Sequence, residues 1–325
     1  MPQCAPESHP GVSYAFTMLS VHPVTAAYGC WASPVSADLA VAGRPRLSEL
    51  MADGDDVYWL ESHPEQDGRT ALMRRRRGQV REISLPSDDV ATTVNTYGGG
   101  SYDASHGMAV WCCAGGTAIQ TLTPAGRRAM VIRGVPSVRY ADLRVHPHQG
   151  FVLAVREDSS GPGEPVTQVV RLAWPQAPPD DRGVVLVGGA DFYANPELSP
   201  DGRLAWIEWN HPDMVWDAST LKVGRLSADG CELTDVVTVI EGHSHGDRGV
   251  SIQHPRWLAD GRLAFMCDMS GFWNLTVWDG VSLQAVHRDA CDFDAPAWTL
   301  GNTAYAQLDD ARVLGWLRQD AMAYL

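Results

Sequence analysis

The loop Gly242-His243-Ser244-His245-Gly246-Asp247 offers two kinds of chemistry within six residues. As Gly-x-Ser-x-Gly it matches a nucleophile elbow, which needs a strand before the serine and a helix after it. The strand is readable from Val236 to Ile240. Arg248-Gly249-Val250-Ser251-Ile252 then runs to His254-Pro255 without a helical period, so no serine nucleophile is expected. His243, His245 and Asp247 alternate and would point one way from an extended backbone, which makes them a weak candidate site for a divalent metal. A polar loop without metal is the plainer reading, and no cofactor is expected. Histidines titrate near neutrality, so His211, His243 and His245 are the candidate general acids or bases.

A second loop, Trp209-Asn210-His211-Pro212-Asp213-Met214-Val215-Trp216-Asp217, can present Trp209, Asn210, His211 and Trp216 to a ligand. Its tryptophans could equally pack the loop against its own strands. Tyr97, Tyr193, Phe272 and Trp273 complete the candidate ligand-binding set. Ser219-Thr220-Leu221-Lys222 has Ser-x-x-Lys spacing, but on a strand those two side chains face opposite sides. Gly98-Gly99-Gly100 is followed by neither Lys-Ser/Thr nor a helix, so it is no phosphate loop; a tight entry into a strand explains it.

These loops need strands to hold them, and the strands recur. Pro196-Glu197-Leu198-Ser199-Pro200-Asp201-Gly202-Arg203-Leu204-Ala205-Trp206 returns as Pro255-Arg256-Trp257-Leu258-Ala259-Asp260-Gly261-Arg262-Leu263-Ala264-Phe265. Each copy is a strand, an Asp-Gly turn and an apolar strand. Weaker copies begin near residues 47, 97, 140 and 292, and most are followed by two further strand-like runs. Four strands per unit read as blades of a β-propeller, an all-β fold with six blades in one domain spanning 1–325. A sandwich would also show many short strands, but the recurring phrase favours the propeller. The last blade is short by a strand. Residues 1–27 form an N-terminal extension whose Val12 to Val21 run is expected to close that blade and remove its open edge. Antiparallel blades place Ser62–Gly68, Asn95–Gly98, Asp191–Ala194, Trp209–Asp217, Gly242–Gly249 and Met269–Trp273 on one face, around a funnel.

Composition narrows the partners. Formal net charge is −14, and acidic residues are spread along the chain, which argues against nucleic acid and anionic membrane. The basic run Arg74 to Arg77 fits a solvated hairpin edge. No apolar run reaches the roughly 20 residues of a membrane helix, and no signal peptide is readable at Met1-Pro2-Gln3-Cys4. Seven cysteines without C-x-x-C spacing suit reduced thiols in the cytoplasm. Lys222 is the single lysine, which suits a GC-rich coding sequence.

Several segments resemble the N-terminal propeller of the prolyl oligopeptidase family, in its bacterial dipeptidyl- and acylaminoacyl-peptidase branch. They are Tyr28 to Ala37, Val57-Tyr58-Trp59-Leu60-Glu61 with Asp67-Gly68-Arg69-Thr70, Tyr97-Gly98-Gly99-Gly100, Trp209 to Asp217, and Asp268-Met269-Ser270-Gly271-Phe272-Trp273-Asn274-Leu275. In that family an α/β-hydrolase domain with a Ser-Asp-His triad follows the propeller; no strand–helix alternation is readable here. Asn95-Thr96 stands where the family has His-Glu, and acidic residues there bind a substrate amino group in relatives. The resemblance implies a propeller that binds a peptide or small molecule in its funnel and is not itself a peptidase. Two alternatives stand beside it: a tailoring enzyme using acid–base chemistry (isomerase, cyclase or lyase type), or one half of a split peptidase whose α/β-hydrolase is a separate chain.

Overall fold

The computed structural model describes residues 25–30, 33, 35–36, 43, 45–146, 148–174, 177–178, 181–243, 249–307, 313–315, 317–319 and 322–324. By contacts the chain divides into Met1–Gly43 and Arg44–Leu325. In the first unit a turn is closed by the Cys30 amide on the Ala27 carbonyl (3.0 Å). The expected closing strand, residues 12–21, lies outside the described residues.

The second unit is a β-propeller of four-stranded antiparallel blades. Blade one is β1 (Arg46–Asp53), β2 (Asp56–His63), β3 (Arg69–Arg76) and β4 (Gln79–Glu82). Blade two is β5 (Tyr102–Ser105), β6 (Met108–Cys113), β7 (Ala118–Leu122) and β8 (Arg128–Ile132). Blade three is β9 (Val138–His146), β10 (Phe151–Asp158), β11 (Val166–Ala173) and β12 (Val184–Val187). Blade four is β13 (Phe192–Leu198), β14 (Arg203–Trp209), β15 (Thr220–Leu226) and β16 (Leu233–Ile240). Blade five is β17 (Ile252–Trp257), β18 (Leu263–Cys267), β19 (Asn274–Trp278) and β20 (Leu283–Ala285). Two short hairpins follow: β21 (Tyr305–Gln307) with β22 (Val313–Gly315), and β23 (Leu317–Gln319) with β24 (Met322–Tyr324). The sixth copy of the phrase, expected as a hairpin from Asp294 to Ala306, contributes only β21. Its first half, Asp294 to Trp298, forms no strand.

Burial follows strand position. The second strands β6, β10 and β18 are buried on both faces, save Asp158 at the end of β10, because each blade is covered by its neighbours. The outer strand β16 is mostly exposed and carries Thr-Asp-Val-Val-Thr. The core is therefore a series of seams between blades, such as Tyr58, Leu72 and Trp111 between blades one and two. Cys112, Cys113, Cys267 and Cys291 are buried and free.

The repeated phrase has a local geometry that the sequence did not display. The first strand of each blade is entered or interrupted by a left-handed residue: Glu49 (φ 50), Gly100 (φ 60), Asp142 (φ 50), Asn195 (φ 51) and His254 (φ 55). Register shifts flank Glu49, Asn195 and His254 in β1, β13 and β17, and a shift in the pairing of β9 with β10 falls beside Asp142, as expected of bulges. Non-glycine residues rarely adopt this conformation, so neighbouring blades must hold it. They do so through hydrogen bonds. The Ser101 amide donates to Glu49 Oε2 (3.1 Å), and the Asn195 amide donates to Asp142 Oδ2 (2.5 Å). The Leu143 amide donates to the Gly100 carbonyl (3.3 Å), and His254 Nε2 lies 3.2 Å from Asp294.

The two strong copies also touch each other. In both turns arginine binds the turn aspartate, Arg203 to Asp201 (2.9 Å) and Arg262 to Asp260 (2.7 Å). Arg203 in addition lies 4.3 Å over the Trp257 ring and donates to the Gly261 carbonyl (2.8 Å), joining blade four to blade five. A half-buried cation–π contact and one hydrogen bond are worth about 1–2 kcal/mol together. Arg203→Ala is expected to lower the urea midpoint accordingly. Arg203→Lys should recover only part of the loss, because an ammonium cannot stack and fork at once. Full recovery by lysine would contradict this account.

Candidate functional site

On one face, loops from several blades bring aromatic side chains together. Trp216 lies 4.5 Å from Trp298, and Trp298 lies 5.6 Å from Tyr97 in an edge contact (centroid distances). Tyr97 and Trp298 are each 55% exposed, so this trio keeps a free aromatic surface. A second group stacks Trp209 on Phe192 (5.3 Å, 19°), with His211 4.8 Å from Phe192. Loops are tied to one another by carboxylates. Asp191 Oδ2 accepts from the His211 amide (2.9 Å) and lies 3.1 Å from its Nδ1. The Asp191 amide donates to Asn210 Oδ1 (2.8 Å). His211's amide and ring hold the exposed Asp191 carboxyl below its ordinary range. His243 Nε2 lies 2.7 Å from Asp213 Oδ2, so the Gly242 and Trp209 loops also meet.

Beneath this face is a charged ring interior. Arg144 Nε donates to Glu197 (2.7 Å), and its Nη1 lies 3.0 Å from Asp142, which is wholly buried. Asp103, also buried, accepts from the Val145 amide (2.6 Å), and burial pushes its carboxyl up to about 6 despite Arg144 nearby. Burial likewise raises Glu49 to about 7, against the Ser101 hydrogen bond. His146 is driven the other way, to about 4, by desolvation of its charged form.

The candidates named from the sequence therefore divide. Tyr97 and Trp216 meet through Trp298, and Trp209 and His211 meet through Phe192. His243 is exposed and bound to Asp213. Ser244, His245 and Asp247 lie outside the described residues. Among the described residues no group of three His, Cys, Asp or Glu could hold a metal ion. Asn210 lines a separate open groove of about 420 Å³ between blades three and four, beside Glu208 and Lys222. Tyr193 is wholly buried, with its hydroxyl accepting from the Ala190 amide (2.7 Å); the inter-blade core needed a large ring there. Phe272 stays partly exposed, while the Trp273 amide and carbonyl dock on Asp292 (2.9 Å) and Phe293 (2.8 Å). Ser219 is buried, its hydroxyl donating to the Ile252 carbonyl (3.0 Å) and accepting from the Ile252 amide (2.8 Å) of blade five, while the Lys222 ammonium pairs with Glu208 (2.5 Å).

Sequence reading missed Trp298, Phe192, Gln253 and His254. Trp298 aligns with Trp257 of the fifth blade, which is an inter-blade packing residue donating to the Glu197 carbonyl (2.9 Å), so alignment points away from the funnel. Gln253 and His254 sit inside the blade phrase and carry no signal of their own.

No family model and no curated protein matches this chain. Among solved structures it is similar to a puromycin hydrolase variant complexed with PGG, at 27% identity and a TM-score of 0.80 over 90% of this chain and 47% of that one. A second puromycin hydrolase structure is 25% identical, with a TM-score of 0.78 over 92% and 49%. A puromycin-hydrolyzing peptidase of Mycobacterium tuberculosis is 33% identical, with a TM-score of 0.76 over 91% and 47%. The chain spans about half the length of each. Fold and likeness together define the class: a β-propeller resembling the propeller domains of prolyl oligopeptidase-family peptidases. No helix among the described residues is long and apolar enough to cross a membrane.

Proposed function

We propose that this propeller binds a short peptide or an aminoacyl small molecule at the aromatic mouth of its funnel. The observation that carries this reading is the Tyr97–Trp298–Trp216 trio, in which two exposed rings stand together on a partly buried Trp216. Puromycin hydrolases, the proteins to which the chain is similar, act by name on such a molecule. Binding without cleavage fits the described side chains. Ser105 Oγ meets His106 Nδ1 (2.8 Å) only as its neighbour in an exposed turn, and no carboxylate among the described residues takes the other ring nitrogen. Cleavage, where it occurs, would fall to groups outside the described residues.

A second reading draws on the His211–Asp191 and His243–Asp213 pairs. A carboxylate at hydrogen-bond distance orients an imidazole for proton transfer, which suits isomerase, cyclase or lyase chemistry. One experiment separates the two. The purified chain is titrated with puromycin and with an aminoacyl arylamide, following tryptophan fluorescence and product formation. We expect saturable quenching without product, and at least tenfold weaker binding in Trp298→Ala. Unchanged affinity in that variant sinks the assigned surface. Turnover lost in His211→Ala or His243→Ala supports the second reading, and hydrolysis lost in Ser244→Ala would restore the elbow.

A further inference from the structure

Below Trp209 lies a cavity of about 20 Å³, lined by Gln253, His254 and Asn195 and roofed by Thr299, Leu300 and Gly301. A space of this size holds about one water. Gln253 is 1% exposed, yet neither its amide nitrogen nor its amide oxygen has a hydrogen-bond partner, and His254 Nδ1 has none either. Leaving such groups unpaired costs about 1–3 kcal/mol each. The roof is the turn that follows Trp298 in the sixth phrase. It lies against the Gly98–Gly100 edge through a single parallel bridge, Gly99 with Leu300, in which the Leu300 amide donates to the Gly98 carbonyl (2.8 Å). The approach is backbone to backbone. A Cβ on Gly99 would fall 2.2 Å from the Leu300 carbonyl oxygen, and one on Gly301 would fall 2.3 Å from the Gly100 Cα. Adding an extended segment to a free backbone edge is a general mode of peptide recognition.

We propose that the funnel takes an extended peptide along the Gly98–Gly100 edge, with its amide groups answering Gln253 and His254. The chain's own Thr299–Asn302 turn holds this site until a peptide displaces it, while Trp298 stays in the aromatic surface. The inference rests on the peptide-binding reading above and adds its register and its competitor. Gln253 needs a donor and an acceptor together, which a peptide group supplies and an apolar ligand does not. The resident segment leaves them unmet, so it is an imperfect occupant. An intramolecular competitor lowers apparent affinity by the fraction of time it occupies the site.

The probe is a fluorescein-labelled, end-capped Ala-Trp-Thr-Leu-Gly-Asn peptide, read by anisotropy together with hydrogen exchange of the whole chain. Asn302 lines the cavity and ties the turn by donating to the Thr299 carbonyl (3.1 Å) and Oγ1 (2.9 Å), so Asn302→Ala loosens the competitor while leaving Gln253 and His254 in place. Peptide affinity should rise three- to tenfold in Asn302→Ala and fall at least tenfold when Gln253→Leu is added. Gln253→Leu alone should melt no lower than the native chain, since it removes unpaired groups. On peptide binding, exchange should quicken over 299–302 while 92–101 stays protected. Equal affinity for the native chain and Asn302→Ala, or retained protection over 299–302, would overturn the displacement while leaving the binding surface standing. Failure of both puromycin and peptide to bind any form would overturn the surface and the displacement together.

Discussion

Replacing Arg144 with methionine should destabilise the propeller by about 3–5 kcal/mol, and by less at pH 5 than at pH 8. Arg144 is a guanidinium within reach of Asp142, Glu197 and Asp103 in the ring interior. Removing one partner of a buried ion pair leaves the other charges uncompensated, and that penalty lies in this range. For a domain of this size it corresponds to a melting temperature lower by about 6–15 °C. The pH dependence follows from the orphaned carboxyls. Without Arg144 their folded-state affinity for protons rises, so acid neutralises them and restores part of the lost stability. Thermal melts at the two pH values check it, and an equal loss at both would show that Arg144 acts only by packing. Arg144→Lys should fall between, keeping the charge but not the fork that serves Glu197 and Asp142 together.

Glu49→Gln is expected to stabilise the protein at pH 8 by about 1–3 kcal/mol and to change little at pH 5. Burial lifts the Glu49 carboxyl to about 7, well above its unfolded value. A carboxyl raised in this way favours the folded state fully only below about pH 4.5, and that contribution is lost as pH rises through 7. Glutamine cannot ionise, yet it retains an oxygen for the Ser101 amide, and the Tyr102 hydroxyl donates to the backbone carbonyl of residue 49 in either case. Asp103, raised to about 6, adds the same trend at slightly lower pH. His146, depressed to about 4, opposes it, because its stability is present above pH 6.5 and lost as pH falls towards 4. Comparing variant with native at each pH cancels the Asp103 and His146 contributions and isolates Glu49. Denaturant unfolding from pH 5 to 8 gives the curve, and a constant offset across that range would place Glu49 in an environment open to water.

Much of the ring was legible because blades are local. An Asp-Gly turn between two apolar runs encodes its own hairpin within about ten residues, and Gly202 (φ 83) and Gly261 (φ 84) supply the backbone it needs. Which loops carry aromatics and histidines was legible for the same reason, since loop and strand alternate along the chain. The Trp209–Asp217 and Gly242 loops do meet, through His243 and Asp213.

Contacts between distant copies carried no such signal. Tyr193 and Trp209 are both aromatic residues at loop edges, but only packing between blades decides that Tyr193 is sealed while Trp209 stacks on Phe192 and lines the small cavity. Trp298 reads as another Trp257, and Leu300 as an ordinary turn residue. The structure instead lays their segment against Gly98–Gly100, two hundred residues away, where two glycine-bearing backbones can touch. The sequence by itself determined the repeating hairpins and the four-stranded unit, both set by turns and periodicity over short range. Tertiary structure alone decided the left-handed bulges, the proton affinities of Glu49 and Asp103, and the unpaired amide of Gln253. Each of those depends on which groups from other blades close around it and keep water out.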